Sequence, residues 1–223
     1  VGSEMCIRDR LNAFIFALIP MAMIIAVSKM RSASTTTIVM AGIAVMYIFN
    51  AMTTVIRLWV NPETQASLYA WTVGSIDGSS WDRVAIMFVF VLIGTIALQL
   101  MAKRLNVLSA GDESARSIGV DPDKMRILSL LVVSLLSAGI VSFTGLIGFI
   151  GLVCPHIVRL FIGSDTRYLI PASAVFGAAL LIFADIVGRV IISPATLQVG
   201  VITAFIGGPL FLYLIVKQKK EVW

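Results

Sequence analysis

Lys103 to Arg126, KRLNVLSAGDESARSIGVDPDKMR, is the longest polar interval between two strongly apolar runs, and it holds five basic and four acidic residues. Outward from it, the chain consists of apolar stretches and the short connections between them. A spanning helix needs about 20 mostly apolar residues to cross a hydrocarbon core of about 30 Å. The interval therefore reads as an ordered loop between membrane spans, and the chain as an all-α polytopic transmembrane helical bundle.

Composition agrees. Apolar residues make up 59% of the chain and charged residues 13%, against about 25% charged in soluble domains. The mean hydropathy is +0.99. In water such a chain would expose large apolar patches, so membrane lipid is the expected surrounding. Two cysteines, Cys6 and Cys154, make no disulfide framework or metal cluster, and the single histidine, His156, argues against a histidine-based metal or proton-relay site. The net charge of +5 sits at the ends of apolar runs. That placement suits membrane orientation and speaks against a nucleic-acid partner.

Residues 1–10, VGSEMCIRDR, are polar and without period, and read either as a non-native leader or as a native extramembrane segment. They are set apart from the remainder, 11–223, which reads as one transmembrane domain. Seven spans are expected within it: Leu11–Ser28 with a kink at Pro20, about Thr35–Leu58, Val84–Ala102, Ile127–Phe143, Ile147–Ile162, Ala172–Ile192, and Val199–Val216 interrupted by Gly207-Gly208-Pro209. The first apolar run is followed by Lys29 and Arg31, the reverse of a secretory signal's order. Trp59–Asp82 is the longest connection on its side. Its aromatic residues suit a short interfacial helix, as an anchor or as part of a gate.

Taking alternate connections as one side collects Lys29, Arg31, Lys103, Arg104, Arg116, Lys124, Arg126, Arg159, Arg167, Lys217, Lys219 and Lys220, twelve in all; Arg57, Arg83 and Arg189 make three on the other. By the positive-inside rule the 103–126 loop and the C-terminus are cytoplasmic. Leu11 then starts on the outer side, as expected of a chain that lacks helices at its front.

Within the loop, Asp112 is expected to cap a short helix that Gly119 ends in the left-handed conformation. Asp121-Pro122 is expected to start another, with Asp as cap and Pro at the first helical position. Small residues Ser114, Ala115 and Ser117 would let another protein approach closely. A well-capped solvated loop and a docking surface are both consistent with these signals.

No catalytic constellation is legible. The chain has no phosphate-binding G-x-x-x-x-G-K-[ST] loop, no H-E-x-x-H and no nucleophile elbow. It reads as no enzyme, with no cofactor of its own, so any energy source is a gradient or a partner.

Gly111-Asp-x-x-Ala115-Arg116-x-Ile118-Gly119-Val120 resembles the cytoplasmic coupling loop of the FecCD family, permease subunits of ABC importers for iron–siderophore complexes, haem and cobalamin. The resemblance continues through Gly145-Leu-Ile-Gly148-Phe-Ile-Gly151-Leu-Val-Cys-Pro155-His156-Ile-Val-Arg159, Gly163-x-Asp165-x-Arg167, Ala184-Asp185 and Val199-Gly200 to Gly207-Gly-Pro209-Leu-Phe211. It is looser in the first half, through Ala41-Gly42 and Trp71-x-x-Gly74-Ser75. The family's usual Glu and Pro before the last span are replaced by Thr196 and Gln198. The resemblance implies ten spans with three absent here, a homodimer, and two ABC ATPase subunits that bind ATP and meet the 103–126 loop. It also implies a periplasmic or lipoprotein substrate-binding protein and a place in the bacterial inner membrane.

Individual positions carry paired readings. Pro155 frees a backbone carbonyl that the His156 imidazole is expected to satisfy. Gly145, Gly148 and Gly151 allow close helix packing or a hinge. Asp185 and Arg189, four apart, form a self-neutralising pair on one face; the resemblance makes Arg189 a contact for the binding protein. Asn50, Thr53, Thr54 and Arg57 share one face of the second span, which means interhelical bonding or, by resemblance, a translocation pathway. The rival to an ABC importer is an ion- or proton-coupled secondary transporter, for which Asp185 and the Gly208-Pro209 break are the suitable features. A purely structural membrane protein is a third reading.

Overall fold

In lipid the backbone must satisfy its own hydrogen bonds, and every long apolar run of this chain is helical. The computed structural model describes residues 2–30, 35–77, 79–191 and 196–218. Among these, the helices are α1 (Gly2–Met30), α2 (Thr35–Arg57), α3 (Pro62–Val73), α4 (Trp81–Ser109), α5 (Asp112–Ser117), α6 (Pro122–Thr144), α7 (Ile150–Ile162), α8 (Thr166–Ile191) and α9 (Val199–Gln218). Four segments are long and apolar enough to span a membrane: Thr36–Arg57, Trp81–Ser109, Pro122–Thr144 and Thr166–Ile191. Asn12–Val27, Ile150–Ile162 and Val199–Leu214 are apolar but shorter. At 1.5 Å per residue, the 13 residues of α7 reach only about 20 Å, so the expected fifth span is too short to cross alone. Arg31, Lys219 and Lys220, used to orient the chain, lie outside the described residues.

Several boundaries differ from the sequence expectation. α1 runs without interruption through residues 2–10, so the segment set apart on composition is helical. The connection Trp59–Asp82 does hold a short helix, α3. α4 continues to Ser109, which puts Lys103 and Arg104 inside the helix and not in a loop. The second loop helix is not separate: it is the start of α6, because nothing between Pro122 and Ile127 breaks a helix. α9 is also continuous through Gly207-Gly208-Pro209. Proline inside a helix removes one donor, a loss helices in membranes tolerate.

The chain divides into two compact units, 1–67 with 85–143 and 68–84 with 144–223. In the first, α4 and α6 meet through two reciprocal pairs. A Cβ on Gly94 would strike the Leu136 side chain, and one on Gly139 would lie 2.8 Å from the Phe90 ring. Phe90 and Gly94 are one turn apart on α4, and Leu136 and Gly139 on α6, so each glycine is the socket for the other helix's large side chain. Phe90 also packs against Phe14 of α1 (6.2 Å between centroids). In the second unit, α7, α8 and α9 pack together around Ala184, Val199 and Ile202, flanked by Ile76, Ile147, Leu181, Val187 and Leu197.

Candidate functional site

The polar turn between α4 and α6 is built by local rules. Gly111 occupies the N-cap of α5 with φ 110°, and no side chain caps that end. Asp112 is therefore not the expected cap. It is the first helical residue, and its Oδ1 accepts from Arg126 Nη2 at 2.7 Å. At the other end Gly119 has φ +82°, as expected. The Gly119 N–H donates to Arg116 O (3.0 Å) and the Val120 N–H to Ala115 O (2.9 Å). These are the paired bonds of a Schellman motif. Asp121 caps α6: its Oδ1 accepts from the backbone N–H groups of Asp123 (3.1 Å) and Lys124 (3.2 Å), with Pro122 at the first helical position. The backbone N–H of Lys124, then its ammonium, holds the Asp121 carboxyl below the usual value.

α5 is tied to the first turns of α6 by charge. Beside Arg126–Asp112, Arg116 Nη2 lies 3.7 Å from Asp123 Oδ2; within α6, Arg126 Nη1 lies 3.9 Å from Asp123 Oδ1. Arg126 is mostly buried while its partners are half-exposed, so the first of these pairs is the firmest. Ala115 is 0% exposed, which corrects its expected place on an approachable surface: it faces inward under the Schellman closure. The outward face carries Glu113, Ser114, Arg116, Ser117 and Ile118. Ile118, 69% exposed, is an apolar side chain standing on a polar turn. In the sequence it stood only as one position of the Gly111–Val120 motif.

The other expected residues separate. Thr53 and Thr54 donate their hydroxyls to the carbonyls four residues back, Phe49 O and Asn50 O, both at 2.8 Å. The stripe with Asn50 lies on one exposed face of α2, with its threonines bonded within the helix. The His156 ring meets Phe211 edge-on (6.2 Å, 80°), in place of the expected bond to a carbonyl freed by Pro155. Of the three spaced glycines, only Gly145 is a close approach: a Cβ there would strike the Trp71 carbonyl oxygen, while Gly148 and Gly151 have nothing within 4 Å. Phe149, between them, was missed. It has φ 66° and ψ −32°. Its ring fills the space a side chain at Gly207 would need, with Cγ 2.9 Å from that Cβ position. The Gly207-Gly208 pair is thus a seat for Phe149 and not a helix break.

Asp185 and Arg189 pair as expected, Nε to Oδ2 at 2.8 Å. Arg189 Nη2 also donates to Asp77 of the turn after α3, a partner 112 residues away that the sequence did not mark. Among the described residues no group of three His, Cys, Asp or Glu could hold a metal ion.

The FecCD transport family model matches residues 7–217. The chain is 40% identical to the cobalamin import system permease protein of Halobacterium salinarum, over 91% of this chain and 54% of that one. It is 34% identical to the hemin transport system permease protein of Yersinia pestis, over 94% and 63%. A solved structure described as an inward-facing conformation of a metal-chelate type ABC transporter superposes with TM-score 0.81 at 27% identity, over 94% of this chain and 71% of that one. The chain spans between half and two thirds of the length of the two curated relatives.

Proposed function

This chain belongs to the FecCD transport family, and from that premise we propose that it serves as a permease subunit of a binding-protein-dependent ABC importer for iron–siderophore complexes, haem or cobalamin. Two copies form the pathway in the bacterial inner membrane, with the C-terminus and the α5 turn cytoplasmic. Two ATPase subunits bind ATP and contact α5, and an external binding protein delivers the substrate. The permease itself carries out no covalent chemistry.

The observation that carries the reading is the construction of α5. A floppy linker would absorb a push. This turn is closed by a Schellman motif, capped again within two residues of its end, and ion-paired to α6 through Arg126–Asp112. A displacement of α5 is passed to the span α6, which is how one rigid contact couples two conformational equilibria. The contact face is Glu113, Ser114, Arg116, Ser117 and Ile118, with Gly111, Asp112, Ala115, Gly119 and Val120 shaping it from behind. Asn50, Thr53 and Thr54 remain candidates for the pathway wall. Arg189, the expected contact for the binding protein, is engaged by two carboxylates of its own chain, so docking through it requires an exchange of partners.

The secondary-transporter reading loses its supports. Asp185 is ion-paired to Arg189, and Gly208-Pro209 lies inside a continuous helix.

The test is co-purification of the full-length permease with its candidate ATPase. The parent is expected to retain the ATPase. Ile118→Asp is expected to weaken retention at least tenfold, a cost of about 1.4 kcal/mol, while Gly148→Ala, away from α5 and with open space around it, keeps it. A well-inserted parent that retains no ATPase would sink the coupling role of α5.

A further inference from the structure

In the second unit three backbone segments cross at glycines. The Ser75 N–H donates to Thr144 O at 2.9 Å, and the Gly200 N–H to Gly74 O at 3.3 Å. A Cβ on Gly74 would lie 2.5 Å from Leu146 O; one on Gly145 would strike Trp71 O, and one on Gly200 would strike Val73 O. Backbone cannot yield as a side-chain tip can, so the start of the turn after α3 is wedged in place. Ile76 adds a seat against the core of Ala184, Val199 and Ile202.

Beyond Ile76 the attachment changes in kind. Asp77 Oδ1 accepts from Arg189 Nη2, and its Oδ2 accepts from Ser75 Oγ at 3.3 Å. The Asp77 N–H donates to the same hydroxyl at 3.0 Å. The Asp185–Arg189 pair lies within α8, four residues apart, and joins nothing to anything else. The Asp77–Arg189 pair joins the turn to the end of α8, one residue after Gly188, whose carbonyl accepts from the Leu197 N–H at 3.2 Å. Arg189 is 50% exposed and Asp77 43%. Exposed pairs are weak and screened by salt.

We infer that Asp77–Arg189 is a releasable latch: it closes the turn after α3 against the C-terminal end of α8, beside a glycine crossing that stays shut when the latch opens. Asp185 is a positioning residue for it. By accepting from Nε at 2.8 Å, and more loosely from Nη2 at 3.4 Å, Asp185 fixes the guanidinium so that Nη2 also reaches Asp77. The device stands on this geometry alone and does not depend on the transport reading.

Hydrogen exchange of the full chain in lipid nanodiscs, resolved to single amides, tests it. Asp77→Asn and Arg189→Gln should each speed exchange of the amide at position 77, which donates to Ser75 Oγ, by about fivefold relative to the intrinsic rate of the residue there, and the double variant no further. Asp77→Glu should restore protection. The Ser75 and Gly200 amides, which belong to the crossing, should stay protected in every variant. Raising the parent from low salt to about 1 M, where the screening length is about 3 Å, should move the Asp77 amide toward the rate of the Asp77→Asn variant. Unchanged exchange in a folded Asp77→Asn protein would overturn the latch. So would additive effects of the two substitutions, or equal acceleration at Ser75 and Gly200, which would make the pair an ordinary part of the unit's stability.

Discussion

Gly119 and Gly145 both sit at positive φ, +82° and +71°, yet for different reasons. Around Gly119 there is open space within 4 Å; the glycine is needed only because the α5 Schellman closure asks for a left-handed residue. Around Gly145 there is no space: the Trp71 carbonyl oxygen occupies the place of a Cβ. The first turn is a local device that its own few residues specify. The second is a crossing of segments distant in sequence, and its glycines are set by what meets them. The α5 turn can therefore tolerate chemical change, while the crossing cannot tolerate added volume.

The largest expected effect comes from adding volume at the crossing. Gly145→Ala and Gly200→Ala each place a methyl group on a backbone oxygen, and each should cost about 3 kcal/mol or more. The check is the unfolding midpoint in detergent and the folded yield. Gly148→Ala, with open space around it, should change the midpoint little. If all three behave alike, the contrast between local and crossing glycines is broken.

A smaller effect is expected at the local turn. Gly119→Ala should cost about 1–2 kcal/mol, because a Cβ disfavours the left-handed region, and Gly119→Asn should recover part of that loss. A double variant with Arg126→Gln would sharpen the point. The two should be non-additive if the Schellman closure and the Asp112–Arg126 pair hold the same turn.

The smallest effect concerns pH. The folded Asp121 carboxyl is held below its ordinary value by the Lys124 backbone N–H and then its ammonium. A depressed folded value means that the contribution is complete above the unfolded value, near 4, and is lost as pH falls through the folded one. The midpoint should therefore drop slightly as pH is lowered below about 4, and Asp121→Asn should remove that slope. An unchanged slope in the variant would mean that other carboxylates dominate.

Legibility in the sequence followed the same division. The α6 start was readable because Asp121-Pro122 acts on its own next residues, and Gly119 because a helix end needs a left-handed residue there. The partner of Asp185 was readable because four residues is one helical turn. Asp112 was misplaced by one position, since Gly111 at φ 110° takes the cap and frees Asp112 for Arg126. Ala115 was read as surface because a small residue on a polar loop is ambiguous; its burial depends on how α5 lies beside α6. The triplet Gly145, Gly148 and Gly151 reads as one stripe, but only Gly145 is pressed. Phe149, the one non-glycine described at positive φ, had no local signal. Its reason lies 58 positions later, at Gly207.

By itself, the sequence determined that this protein is helical and suited to lipid, where its long apolar helices lie, that Gly119 and Asp121 close the polar turn, and, through its ordered motifs, its family. These depend on backbone preferences, apolar length and hydrogen bonds that close within a few residues. Tertiary structure alone decided which glycines are sockets, that Ala115 faces inward while Ile118 faces out, that Phe149 rests on Gly207-Gly208, and that Arg189 reaches Asp77. Each of these requires two distant segments to occupy neighbouring space, and steric exclusion and ion pairing at that range follow from packing and not from local pattern.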